Sequence, residues 1–130
     1  MVLFRRTVWG LQNENVHTID ATLVLDRQQL RDITLEDEDL MHEVIAALIE
    51  DTSQQFGQLD AAIREKDPER CKRLAHYCKG ACANVGANAA AAVLRQMEQQ
   101  AAARAFDQCA RSLTALGAEI ERLRVEANAL

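Results

Sequence analysis

The sequence predicts an all-α fold, an antiparallel up-and-down four-helix bundle with a short additional helix on its N-terminal side. Three observations predict it. Apolar residues recur at three- and four-residue steps through four successive segments. Helix start and stop residues separate those segments at short intervals, Asp67-Pro68 and Gly86 foremost. One proline and five glycines leave little material for long irregular stretches. The 130 residues fit one domain, and 48% are hydrophobic, enough to fill its core. Only 4% are aromatic, so the core is expected to be thin and built from closely approaching helices.

Residues 1–20 show no helical period and read as an N-terminal arm or leader, partly disordered; the bundle domain is expected over 21–130. Asp26 is placed to N-cap a short helix ending near Ile33, with Gln29 as its capping-box partner. Thr34 and Asp37 form a second box, and a long helix is expected from there to about Glu65. One apolar stripe of that helix holds Leu40, Val44, Ala47, Leu48, Phe56, Leu59 and Ile63. A second stripe, Met41, Ile45 and Ile49, lies about 100° around it and needs a cover of its own, either the short helix or a partner.

Asp67 as N-cap and Pro68 at the first position open the third segment, which Gly86 ends. The fourth carries Ala90, Val93, Leu94, Met97 and Ala101. A break is expected near Ala103–Phe106, with Asp107 as the next N-cap. The last segment repeats at four and three through Cys109, Leu113, Leu116, Ile120, Leu123 and Ala127, a bundle-type seam.

Composition excludes several classes of function. A net charge of −5 argues against broad nucleic-acid binding, which needs a basic surface. No run approaches the roughly 18 apolar residues of a membrane span. The N-terminus lacks the apolar core of a secretory signal. A cytoplasmic protein with reduced cysteines, most simply a monomer, is therefore expected.

The segment AHYCKGACANVG, residues 75–86, concentrates the chemistry-bearing residues. With Cys71 at zero, Leu74, Ala75, Cys78, Cys82 and Val85 fall within about 60° of it and form the core stripe. His76 falls at about 140°, Lys79 at about 80°, Gly80 at about 180°, Ala83 at about 120° and Asn84 at about 220°. Lys72, at about 100°, and Arg73, at about 200°, flank the histidine. The cysteines thus point away from His76, so a Cys/His metal site is not expected. Cys78 and Cys82 have poor geometry for a disulfide on one helix. They read as small residues that let helices approach.

On the opposite face the pattern is different. Mid-helix glycine costs about 1 kcal/mol relative to alanine. Gly80 sits one turn from His76, where it clears space for a group on the ring and for another backbone. Lys79 and Lys72 are in reach of an anion held there. An exposed imidazole, open space and a flexible cation make a seat for a phosphoryl group. His42 and His17 have no such companions and read as ordinary histidines.

These residues resemble a known family. His76-x-x-Lys79-Gly80 followed by Gly86 is similar to the H-x-x-K-G-x(5)-G signature of histidine phosphotransfer (Hpt) domains. HYCKGACANVGA resembles the family's H-x-L-K-G-[SA]-[SA]-x-N-[LV]-G-A. Met97-Glu98 resembles the Leu-Glu near the end of its fourth helix, and the likeness spans about residues 22–128. Cys78 departs from the usual Leu or Ile, on the core side.

The resemblance implies a carrier in a two-component phosphorelay, without its own ATP-binding kinase domain and with no cofactor of its own. His76 is the implied phospho-acceptor, Lys79 the group that neutralises phosphoryl oxygens, and Gly80 the residue that permits close approach. Gly86 is implied to be structural, and Asn84 a structural polar residue. The implied partners are receiver domains of response regulators or hybrid kinases, which supply Mg²⁺ and the acceptor aspartate. Met41 and Ile45, with Ile49, Leu30 and Ile33, are the expected apolar docking patch unless the short helix covers them, and Lys72, Arg73 and Ala83, beside His76, are further expected binding residues. Two alternatives stand beside this: a bundle that only scaffolds or sequesters a receiver, and the phospho-accepting domain of a chemotaxis-type kinase. The initiating Met and the unrelated leader favour a self-contained protein over the latter.

Overall fold

Every described helix starts or stops where a backbone group finds a specific partner. The computed structural model describes residues 20–130; the arm expected over 1–20 lies, but for Asp20, outside the described residues. Five helices follow in order: α1 (Arg27–Ile33), α2 (Glu38–Arg64), α3 (Pro68–Val85), α4 (Asn88–Ala102) and α5 (Phe106–Asn128). Asp26, Asp37 and Asp67 cap α1, α2 and α3, each carboxylate accepting from the backbone N–H three residues on, and Pro68 opens α3. Lys66, Gly86 and Arg104 take positive φ between the long helices and reverse the chain.

The long helices are joined at 65–67, 86–87 and 103–105, so neighbours run antiparallel. α2 packs on α3 and α5, and α4 on α3 and α5, which closes an up-and-down ring. Neither diagonal pair, α2 with α4 or α3 with α5, brings Cα atoms within 8 Å. Leu30, Ile45, Leu59, Leu94, Met97 and Leu116 are fully enclosed at the centre.

The cysteines of α3 lie on the core stripe as expected, and Cys109 of α5 is buried with them. Burial pushes the Cys71 and Cys78 thiols up to about 12 and that of Cys82 to about 11, so they stay protonated. Cys71 and Cys109 approach each other across the diagonal. Their Cα atoms nevertheless lie beyond 8 Å, outside the span of about 4.4–6.8 Å that a disulfide bridges.

Several expectations are corrected. Thr34 does not cap α2. Leu35 and Glu36 both have positive φ, so the helix cannot begin before Asp37. The Thr34 hydroxyl instead donates to Leu30 O, 2.7 Å away, at the end of α1. Gln29 does not close a capping box; its amide donates to the carbonyls of Ala83 (2.7 Å) and Asn84 (3.1 Å), tying α1 to the end of α3. Asp107 lies inside the first turn of α5, whose N-cap position is Ala105.

Of the two covers expected for the second stripe of α2, the short helix and a partner, the short helix α1 supplies it, so no docking patch forms there; of the residues named for it, Ile33 alone is exposed. Met41 is 7% and Ile45 0% exposed, and both belong to the core with Ile49 and Leu30. The buried face of α2 is centred on Met41: Ile45, Leu48, Thr52, Leu59 and Ile63 all fall within about 40° of it. Leu40 and Ala47, assigned to the core from sequence, lie about 100–120° away and are exposed. Periodicity identified both stripes but could not say which faces inward, because α1 covers the upper turns of α2.

Candidate functional site

Gly86 sets the upper end of the site-bearing helix. Its φ is +97°, its N–H bonds to the carbonyls of Cys82 and Ala83, and its own carbonyl accepts from Asp26 N–H at 2.8 Å. A Cβ there would meet Asp26 O at 2.9 Å. The glycine therefore ends α3 and also seats the segment before α1. The Leu23 carbonyl accepts from Ala89 N–H, 2.8 Å away, and the Asn88 amide donates to Asp20 O at 3.2 Å, extending that seat. This fixes the register of α3 against α4.

α3 and α4 make the most extensive helix–helix contact of the bundle. Small buried residues allow it, Ala75 on α3 with Ala90 and Ala101 on α4, while Cys78 and Cys82 turn toward Asp51 and Thr52 of α2. With Met97 buried, Glu98 lies about 100° around α4 and faces the outer flank of α3. Its Oε2 is 2.9 Å from His76 Nδ1, and its Oε1 is 2.7 Å from Lys79 Nζ. One carboxylate thus joins the two residues that sequence had singled out.

A carboxylate only accepts hydrogen bonds, so Nδ1 carries the proton and donates it to Glu98. That tautomer leaves the Nε2 lone pair available on a ring whose side chain is 67% exposed. Lys79, only 25% exposed, holds the Glu98 carboxyl below the usual carboxylate range, with His76 assisting. Gly80 is exposed and an added Cβ there would meet no atom within 4 Å. The space beside the imidazole is therefore open.

The remaining candidates divide. Lys72 lines the groove beside Lys79 and Glu98, with its ammonium 3.4 Å from Glu69. Ala83 and Asn84 are exposed and engage Gln29 through their carbonyls. Arg73 is exposed and lies outside that groove. Met41 and Ile45 are not at the surface. Sequence reasoning missed Glu98 as a site residue; its one signal was the Met97-Glu98 pair, which marked a likeness but not a contact. Tyr77 was missed too: its hydroxyl donates to Asp51 at 2.9 Å, bracing α3 against α2 on the other flank of His76.

The family model for the Hpt domain matches residues 43–126. Among solved structures, the chain is similar to histidine-containing phosphotransfer protein B from Pseudomonas aeruginosa PAO1, with a TM-score of 0.76 at 20% identity over 83% of this chain and 94% of that one. It is also similar to a rice protein described as a histidine-containing phosphotransfer protein, with a TM-score of 0.73 at 17% identity over 82% of this chain and 78% of that one. These likenesses concern the fold. A search of curated protein sequences returns no match. With the match covering well over half its length and the motif-bearing helix at its centre, the chain belongs to the Hpt domain family.

Proposed function

We propose that His76 Nε2 is the phospho-acceptor of this Hpt domain and carries a phosphoryl group between aspartates of receiver domains. Hpt domains act in two-component phosphorelays with such partners. The observation that carries the assignment is the Nδ1–Glu98 contact of 2.9 Å on an exposed ring. Phosphoryl transfer asks little covalent chemistry of a protein; positioning and charge stabilisation dominate. As the Nε2–P bond forms, the acyl-phosphate O–P bond breaks and the aspartate carboxylate leaves with the electron pair. The positive charge left on the ring is balanced by Glu98 through Nδ1–H.

Glu98 is thus a positioning residue, and Lys79 is held where phosphoryl oxygens arrive. Gly80 admits the receiver backbone. Mg²⁺ and the acidic residues of the reaction belong to the receiver side. With Met41 and Ile45 buried, the apolar contact falls to the exposed strip of α2 beside Tyr77, formed by Leu40, Val44 and Ala47. Leu40 and Ala47 are exposed and Val44 half-buried, and all three lie on the same side of α2 as Asp51, the partner of Tyr77. The described chain is a small helical bundle, and none of its helices is long and apolar enough to cross a membrane.

The test mixes the protein with phosphorylated receiver domains and follows acid-labile phosphate onto it. Transfer to the wild type and none to His76→Gln is expected. Transfer that survives His76→Gln sinks the assignment, and a receiver that binds without any transfer favours the scaffold alternative.

A further inference from the structure

We propose that Arg95 is a phosphoryl-binding residue of this domain, its guanidinium taking oxygens of the phosphoryl group on His76 Nε2. This rests on the reading of His76 as the acceptor.

Despite a net charge of −5, three cations, Lys72, Lys79 and Arg95, line one groove between α3 and α4, with Glu98 as its acidic member. Two of them already have partners. Lys79 Nζ is 2.7 Å from Glu98, and Lys72 Nζ is 3.4 Å from Glu69. Among the described residues no carboxylate pairs with Arg95. Of the three cations lining the groove, Arg95 is thus the one with no carboxylate partner among the described residues.

Arg95 precedes Glu98 by one turn of α4, which puts their Cβ atoms about 5–6 Å apart. Glu98 touches the imidazole, so the long arginine side chain can reach a group on that ring. A phosphoryl group brings up to two negative charges and three acceptor oxygens. The planar guanidinium matches that geometry with paired donors, where an ammonium offers a point charge. Lys79 need not leave Glu98 for the product to be neutralised, and Glu98 stays on Nδ1–H. His76 does not itself line this groove but is joined to it through Glu98, whereas Arg73, also exposed, lies outside it.

The experiment needs no receiver. Phosphoramidate, a small phosphoryl donor, phosphorylates the full chain. Its P–N bond breaks, ammonia leaves, and the new P–N bond forms at Nε2. The His76→Gln variant identifies which ³¹P resonance belongs to His76, and that resonance is then titrated with pH. Arg95→Ala is expected to raise the midpoint of the phosphoryl group's second ionisation by about 0.5–1 pH unit, the lower part of the range for a nearby opposite charge because the site is partly exposed. Arg95→Lys should recover part of that shift. Arg122→Ala, an equal change of charge on α5, should leave the midpoint at its wild-type value. A His76-dependent resonance with the same midpoint in wild type, Arg95→Ala and Arg122→Ala overturns the role of Arg95 alone. A wild type with no His76-dependent resonance overturns the acceptor reading, and this inference with it.

Discussion

Removing Glu98 tests whether the tautomer of His76 is set by packing of α4 on α3. Glu98→Ala deletes two contacts at once, 2.9 Å to Nδ1 and 2.7 Å to Lys79 Nζ. A hydrogen bond to a charged group contributes about 1.5–3 kcal/mol where solvent is excluded. Here the histidine is 67% exposed and the glutamate 23%, so about 1 kcal/mol is a fair value for the Nδ1 bond. That is worth about a fivefold preference for the Nδ1–H tautomer. Loss of the counter-charge to the phosphorylated ring adds a similar amount, and about 1.5–2 kcal/mol in all corresponds to roughly 10–30-fold slower transfer. Glu98→Gln keeps an acceptor for Nδ1–H but loses the charge, so it should fall between, at roughly fivefold. The assay is the rate of phosphate gain from a phosphorylated receiver, read beside the ¹⁵N shifts of the His76 ring nitrogens. If Glu98→Ala transfers at the wild-type rate with unchanged ring shifts, the orienting role is refuted.

Other substitutions separate stability from chemistry. Gly80→Ala should stabilise the fold by about 0.5–1 kcal/mol, since a helix-interior methyl there meets no atom within 4 Å, while slowing transfer from a receiver about tenfold; thermal melts and transfer rates on the same samples check both signs. Gly86→Ala should cost about 2–3 kcal/mol in urea unfolding, from a φ of +97° and a Cβ placed 2.9 Å from Asp26 O. Glu98 has a lowered pKa in the folded state, mainly through Lys79. The stability from that pair is therefore complete above the ordinary carboxylate range and is lost as pH falls through the lowered value. Lys79→Ala removes most of the lowering, so between pH 7 and pH 3 the variant should lose less stability than the wild type by at most about 1 kcal/mol, as urea titrations at the two pH values would read.

What was legible in the sequence follows from what a single helix determines. Asp67, Pro68 and Gly86 bound α3 as expected because caps act within a few residues of the chain. The sorting of α3 into a cysteine face and a histidine face held for the same reason: 100° per residue fixes relative angle. Inward direction is not fixed by angle alone. On α2 two apolar stripes compete, and the position of α1 over its first turns puts Met41 and Ile45 inside and leaves Leu40 out. The Thr34 box failed because Leu35 and Glu36 adopt left-handed backbone, which their side chains do not advertise. Gln29 was read as a local cap and instead reaches across to α3, a tertiary contact no local pattern reports.

Glu98 was hidden for the same physical reason, and its position explains why the thin core matters to the chemistry. An imidazole and a carboxylate on separate helices meet at 2.9 Å only if the helices approach closely and in one register. Ala75 against Ala90 and Ala101 allows the approach, and Gly86, clamped on Asp26, fixes the register. Ala75, next to His76 in the chain and wholly buried, therefore contributes to the site without touching it. Enlarging it pushes α4 outward and lengthens the Glu98 contacts before it unfolds the bundle. Ala75→Val is the informative case. It places a larger side chain where this chain has a small one, so an unchanged His76 ring tautomer in that variant would mean that α4 adjusts freely and that close packing does not set the site.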